Sequence, residues 1–204
     1  MSSPQWSLRL GRGLLLEYAS VVWMTVESIV AVVAGVVAGS LALVTFGGDS
    51  IIELISAAAV AYYLRKLRKG SVEERILHRT ERITSVLLFA LIPVVGLGAV
   101  YSFFSGIRAE SSILGTIIAM GAVLIMPVLW VGKLRIGRET GCLPLSTDAV
   151  ESATCFLMSI ILLAGLVTIS FFGLWWVDYL ATGLILVFVV REAVESIREG
   201  KRVE

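Results

Sequence analysis

Six long apolar stretches occupy most of this 204-residue chain, and they limit its possible folds more than any other feature. A helix that crosses the hydrocarbon core of a bilayer needs about 20 apolar residues. Lipid offers no hydrogen-bond partners to the backbone, so continuous apolar segments of this length cross it as helices. The stretches cover residues 14–38, 41–64, 83–105, 112–131, 143–171 and 174–191. The sequence therefore predicts an all-α membrane protein with six transmembrane helices.

The composition agrees with this class of protein. Hydrophobic residues make up 57% of the chain and the mean hydropathy is +0.92, which excludes an ordinary soluble domain. The first stretch contains Glu17 and Glu27 and is longer than the apolar part of a signal peptide, so we expect it to remain as the first helix. We expect a cytoplasmic segment over 1–13, a membrane domain over 14–191 and a cytoplasmic tail over 192–204 that is too short to fold alone.

Basic residues are distributed unequally between the two sides of the predicted bundle. The loops on one side contain only Arg108, whereas the other side includes both chain ends and many basic residues. The positive-inside rule therefore places both termini in the cytoplasm. These basic residues are explained by topology and by contact with the lipid bilayer, and no nucleic-acid partner is expected. They are Arg9, Arg12, Arg65, Lys66, Arg68, Lys69, Arg75, Arg79, Arg82, Lys133, Arg135, Arg138, Arg191, Arg198, Lys201 and Arg202.

Two sets of ionisable residues lie within the apolar stretches. Asp49 and Glu53 are four residues apart in the second stretch, and Glu151 and Cys155 have the same spacing in the fifth, where Asp148 precedes them. Residues four apart lie on one face of a helix. An ionisable side chain at the bilayer centre costs about 2.5–3.5 kcal/mol, so such residues normally face a partner, a cavity or an ion. A cation is the simplest partner that suits all of them.

These side chains have the chemistry of metal ligands. If the second and fifth helices pack together, Asp49, Glu53, Glu151 and Cys155 supply the four ligands of a tetrahedral site. Carboxylates alone suit magnesium or manganese, whereas a thiol favours zinc, cobalt, iron(II) or cadmium. Metal binding requires deprotonated ligands, and an empty cluster of buried acids favours protons. Binding of a metal would then release protons, which is a physical basis for exchange.

Structural explanations remain open for the same residues. Asp49 and Glu53 could form a hydrogen-bond network with nearby serines, Cys155 could pack as a small hydrophobic residue, and Asp148 could cap the fifth helix.

Other polar and small residues have separate expected roles. Glu27 could lie behind the ligands or on a proton path, whereas Glu17 is expected to pair with an arginine or reach the headgroups. Asp178 is expected at the interface or in a helix cap. Gly35 and Gly39 predict a close contact of the first helix with a neighbour.

Three parts of the sequence resemble the cation diffusion facilitator family. The run AGSLALVTFGGDSIIELISAAAV resembles its second helix, and WWVDYLATGLILVFVVREAVESI resembles its sixth. The run STDAVESATC is similar to the pattern Ala-Asp-x-x-His-x-x-x-Asp of its fifth helix. In that pattern Asp148 stands at the first acid, Glu151 at the histidine and Cys155 at the last acid. The combination resembles a short prokaryotic branch of the family without the cytoplasmic C-terminal domain.

This resemblance implies a six-helix bundle that exchanges a divalent metal for protons by alternating access, usually as a homodimer. Glu151 and Cys155 stand where the family has histidine and aspartate. The zinc selectivity of the family is therefore not carried over to this chain. We expect no counterpart of the family's cytoplasmic dimerising domain, so a dimer would be formed by the membrane helices.

The resulting hypothesis is an antiporter in the cell membrane that exports zinc, cobalt, iron(II), manganese or cadmium and needs no cofactor. The metal would be bound by Asp49, Glu53, Glu151 and Cys155, with Asp148 beside them. A passive channel, a non-transporting scaffold and a metal-dependent membrane enzyme are the alternatives. An enzyme is less well supported, because the sequence lacks His-Glu-x-x-His, Gly-x-Ser-x-Gly and phosphate-binding glycine motifs.

Overall fold

A computed structural model describes residues 4–70 and 74–200, and these residues form six α-helices. The helices are α1 (Pro4–Ala38), α2 (Leu41–Arg68), α3 (Glu74–Phe104), α4 (Ile113–Thr140), α5 (Leu143–Phe172) and α6 (Val177–Gly200). Each predicted apolar stretch coincides with one helix, so the predicted all-α architecture is confirmed. Two helices extend beyond the predicted membrane domain: α1 begins within the segment 1–13, and α6 continues past residue 191. Residues 201–204 of the predicted tail lie outside the described part of the chain.

Within the described residues, five helices, α1 to α5, are long and apolar enough to cross a membrane. Helix α6 differs because charged residues limit its uncharged part to residues 179–190. Two of these charged residues, Asp178 and Glu192, make contacts inside the bundle. The sixth helix therefore directs part of its charge into the protein instead of into lipid.

The helices pack in two groups around α2. Helices α1, α2, α5 and α4 form a ring in which each contacts the next. Helices α3 and α6 pack against each other and against α2, and α6 also contacts α5. In the apolar span of α2, 61% of the residues are buried inside the protein, compared with 11% in α3. Helix α2 is therefore the central element, and α3 has most of its surface on the outside of the bundle.

The connections define two faces of the bundle. On one face, the backbone of Glu110 donates to the carbonyl of Ala38 at 2.9 Å, and Tyr179 Oη donates to the carbonyl of Ile107 at 3.2 Å. On the other face, Trp6 Nε1 near the start of α1 donates to the carbonyl of Thr140 at the end of α4. The start of α1 and the end of α6 share this second face, which the charge pattern assigns to the cytoplasm.

Helices α1 and α2 form a closely packed antiparallel pair. Gly39 has a φ of +63° in the turn, and Ser40 caps α2 by accepting from the backbone of Leu43 at 3.2 Å. A Cβ added at Gly35 or Gly47 would lie 2.8 Å from a valine side chain of the other helix. The close contact predicted for Gly35 is therefore present. Gly39 lies in the turn between the helices, and Gly47 of α2 is the second point of close contact between α1 and α2.

Asp178 caps the N-terminus of α2 from the first turn of α6. Its Oδ1 accepts from Ser40 Oγ at 2.5 Å, and its Oδ2 accepts from the backbone amides of Leu41 and Ala42 at 2.8 and 3.4 Å. A carboxylate at this position also interacts favourably with the helix dipole. The expected capping role is confirmed, and the capped helix is α2 rather than α6.

A buried group of charges joins α1, α4 and α5. Lys133 Nζ donates to Asp148 Oδ2, lies 3.3 Å from Glu17 Oε2 and lies 3.4 Å from Ser152 Oγ. The side chains of Glu17, Lys133 and Asp148 are all almost completely buried. We call these three residues the lysine triad.

The lysine triad corrects three expectations from the sequence. Asp148 does not cap α5, because that helix begins at Leu143, with Cys142 as its N-cap residue. Glu17 neither reaches the headgroups nor pairs with an arginine; its partner is a buried lysine. Lys133 was counted with the basic residues of a cytoplasmic loop, yet it lies inside the bundle.

We expect replacement of Lys133 by methionine to destabilise the protein by about 3–5 kcal/mol, because two buried carboxylates would lose their cation. Arg135→Met is the matched control, since Arg135 forms an exposed pair with Glu139 in the same helix and should contribute about 0.5 kcal/mol or less. Thermal unfolding of the purified proteins in detergent measures both effects. Adding Glu17→Gln and Asp148→Asn to Lys133→Met should restore much of the loss. Equal, small effects of the two single substitutions would contradict this account.

Candidate metal site

Three carboxylates converge where α2 meets α6. Asp49 and Glu53 lie on successive turns of α2, Glu192 lies on α6, and one oxygen atom of each is within 4.8 Å of the other two. Asp49 and Glu53 are buried, and Glu192 is partly buried. We call Asp49, Glu53 and Glu192 the carboxylate cluster. The sequence analysis identified the first two and missed the third.

The packing of α2 and α6 explains why these residues meet. Both helices start beside Asp178, on the same face of the bundle, and both run toward the face where α1 begins. At 1.5 Å per residue, Glu53 lies about 18 Å along α2 from Leu41, and Glu192 lies about 21 Å along α6 from Asp178. The two side chains therefore reach a similar depth in the bundle, one turn beyond Asp49.

Helical periodicity is the sequence signal that could have identified Glu192. The inward face of α6 contains residues spaced by three or four, which is the period of a buried helix stripe. The buried members of this stripe are Asp178, Ala181, Thr182, Ile185, Val189 and Ala193. Glu192 lies three residues after Val189 and so continues the stripe toward α2. The boundary placed after residue 191 separated it from the pattern to which it belongs.

Five of the six oxygens of the carboxylate cluster lack a hydrogen-bond donor in the described part of the chain. Both oxygens of Asp49, both of Glu53 and Oε1 of Glu192 are buried without a hydrogen bond to any part of the chain that the structure describes. Buried polar groups are nearly always hydrogen-bonded, and charged ones are paired or bind metals. Adjacent buried carboxylates also repel one another. A cation or protons bound among them would relieve both problems.

The two residues predicted on α5 lie beside the carboxylate cluster. Glu151 is close enough to Glu53 and Glu192 for its charge to act on both. Cys155 is completely buried and interacts electrostatically with Glu53. Its thiol, however, donates to Glu27 Oε1 at 3.6 Å. Of the four predicted ligands, the structure therefore brings Asp49 and Glu53 together, with Glu151 and Cys155 at the border of the cluster.

Glu27 connects the carboxylate cluster to α1. Its Oε1 accepts from Ser50 Oγ at 2.7 Å and from Cys155, and its Oε2 accepts from Trp23 Nε1. Ser50 is next to Asp49 in the sequence, so Glu27 lies directly behind the cluster. This position agrees with one of the two roles expected for Glu27, that of a residue behind the ligands.

Asp148 is the predicted site residue that the structure places elsewhere. It is bound to Lys133 in the lysine triad. It precedes Cys155 by about two helical turns, or about 10 Å along α5, which separates it from the carboxylate cluster. Its carboxylate already has a cationic partner, so it is not part of the candidate metal site.

Comparison with known protein families agrees with the membrane fold. The family described as the cation efflux transmembrane domain matches residues 18–203. A search of curated proteins gives no match. The matched range contains the carboxylate cluster and both residues beside it, Glu151 and Cys155. The protein is a multi-pass integral membrane protein, and because the family match covers nearly the whole chain, it belongs to the cation efflux family, which confirms the resemblance to the cation diffusion facilitators.

Proposed function

We propose that this cation efflux transporter exports a divalent metal ion from the cytoplasm in exchange for protons. The observation that carries the proposal is the buried pair of Asp49 and Glu53, whose four oxygens have no hydrogen-bond partner in the described part of the chain. Both residues lie on α2, the central helix, so an ion bound there would be surrounded by protein on every side. A site of this kind within the bundle is typical of secondary transporters.

Exchange follows from the requirements of the ligands. A carboxylate binds a metal only in its deprotonated form. When the metal leaves, the repulsion between buried carboxylates favours uptake of protons. The same side chains would therefore bind metal on one side of the membrane and protons on the other. Net export then uses the proton gradient without a further binding site or a cofactor.

The alternatives have less support from the contacts. In a scaffold, Asp49 and Glu53 would join helices through hydrogen bonds, but the described structure gives them none. The joining contacts are instead those of Asp178 and of the lysine triad. Membership of a transporter family argues against an enzyme. By analogy with the family, we include a homodimer formed by the membrane helices in the proposal.

We expect purified protein in proteoliposomes to take up a divalent metal, with a rate that increases when a proton gradient is imposed in the exchange direction. The double variant Asp49→Asn, Glu53→Gln should reduce this uptake at least tenfold, because it removes the anionic ligands and changes the shape of the site little. Metal-sensitive dyes inside the vesicles measure the flux. A flux that does not depend on the proton gradient would indicate a channel. Full activity of the double variant would contradict the assignment of Asp49 and Glu53 as ligands.

Metal binding should also stabilise the folded protein. A bound ligand at 100 times its Kd adds about 2.7 kcal/mol to the stability, so the Tm in detergent should rise when the transported metal is added. In Asp49→Asn, Glu53→Gln this increase should disappear, while the Tm without metal should equal or exceed that of the wild type, because the repulsion is removed.

Glu139→Gln is the control for this experiment, since Glu139 lies near the end of α4 and pairs with Arg9 and Arg135. It should keep the increase in Tm. A low Tm of the double variant without metal would indicate a structural role for the two acids.

A further inference from the structure

We propose that Glu192 of α6 is the third ligand of the transported ion and that the resulting all-carboxylate site prefers manganese(II) to zinc or cadmium. This inference rests on the proposed function and specifies the class of substrate. Oxygen ligands suit hard cations such as magnesium, calcium and manganese, whereas thiolates suit soft cations. Among the transition metals considered for this chain, manganese(II) is the one that an oxygen-only site favours.

The geometry of the carboxylate cluster is close to that of a bound ion. Two oxygens on opposite sides of a divalent ion, each bonded at about 2.2 Å, are at most about 4.4 Å apart. The three ligand oxygens lie within 4.8 Å of one another, so small side-chain movements would bring all of them to bonding distance. Asp49 and Glu53 are 0% and 5% exposed and lack hydrogen-bond partners in the described structure, which distinguishes them from a solvated acidic patch.

The thiol of Cys155 donates to Glu27 and also interacts with Glu53. Its sulfur lies 3.6 Å from Glu27 Oε1, and Glu27 is itself fixed by Ser50 and Trp23. The thiol therefore lies between Glu27 and Glu53 and is protonated when it donates. The three ligand oxygens that face one another are all carboxylate oxygens, and the third belongs to Glu192.

Helix α6 offers a matched comparison for Glu192. One turn further, Glu195 is exposed and its Oε1 accepts from Arg191 Nε at 3.0 Å. Glu192 instead continues the inward stripe of α6 and lies with Asp49 and Glu53. Two glutamates of α6 therefore have different environments: Glu195 pairs with an arginine, whereas Glu192 lies with Asp49 and Glu53.

Uptake of manganese(II), zinc and cadmium into proteoliposomes tests the proposal. The wild type should prefer manganese(II), and Glu192→Gln should reduce manganese(II) uptake at low concentration at least tenfold, whereas Glu195→Gln should leave it unchanged. Cys155→Ser should change manganese(II) uptake less than twofold. Glu192→Cys should raise the ratio of cadmium to manganese(II) uptake at least tenfold, a change in selectivity that a merely structural role of Glu192 would not produce.

Direct binding of manganese(II), measured by electron paramagnetic resonance on the purified protein, separates the two proposals. Binding by the wild type that is lost in Glu192→Gln would support the ligand assignment even without flux, whereas absence of both flux and binding would overturn both proposals. Preference for zinc or cadmium, with loss of that uptake in Cys155→Ser, would overturn the inference alone. The Tm of each variant without metal shows whether it is folded.

Discussion

Compensation of charge inside an apolar bundle is the constraint on which the rest of this structure depends. Asp178 is compensated by backbone amides and Ser40 at the start of α2, and Lys133 by two carboxylates. Both arrangements join helices that are distant in sequence. The carboxylate cluster of Asp49, Glu53 and Glu192 differs, because five of its six oxygens have no hydrogen-bond partner in the described protein. The first two arrangements are structural contacts, whereas the cluster has the properties of a site for a cation or for protons.

The position of the carboxylate cluster follows from the contacts around α2. Gly35 and Gly47 allow α1 and α2 to approach closely, and Gly47 is two residues from Asp49. Asp178 fixes the start of α6 at the start of α2. From this shared origin both helices run in one direction, so their acids meet at a similar depth. The cluster is thus a consequence of the close contact between α1 and α2 and of the cap at Asp178.

Much of the fold, and part of the site, could be predicted from the sequence. The apolar stretches identified six helices because lipid requires segments of that length, and the four-residue spacing of Asp49 and Glu53 placed them on one face. Lys133 and Glu192 were assigned to the cytoplasmic side because a charge near the end of an apolar stretch is usually there. Their burial depends on which helices are neighbours, α1 and α5 for Lys133 and α2 for Glu192, and one sequence does not specify that order.

The participation of α6 changes how the site can open. In a site made by α2 and α5 alone, α6 could move independently. With Glu192 as a ligand, two of the three carboxylates lie on α2 and the third lies on α6. These two helices share the cap at Asp178, so they would move together. Helix α5 is bound instead to α1 and α4 through Lys133. Helix α1 joins the two groups, because it also packs closely against α2, so a motion of α5 that exposes the ion would turn about α1. Glu151 and Cys155 lie on the side of the site that this motion would uncover.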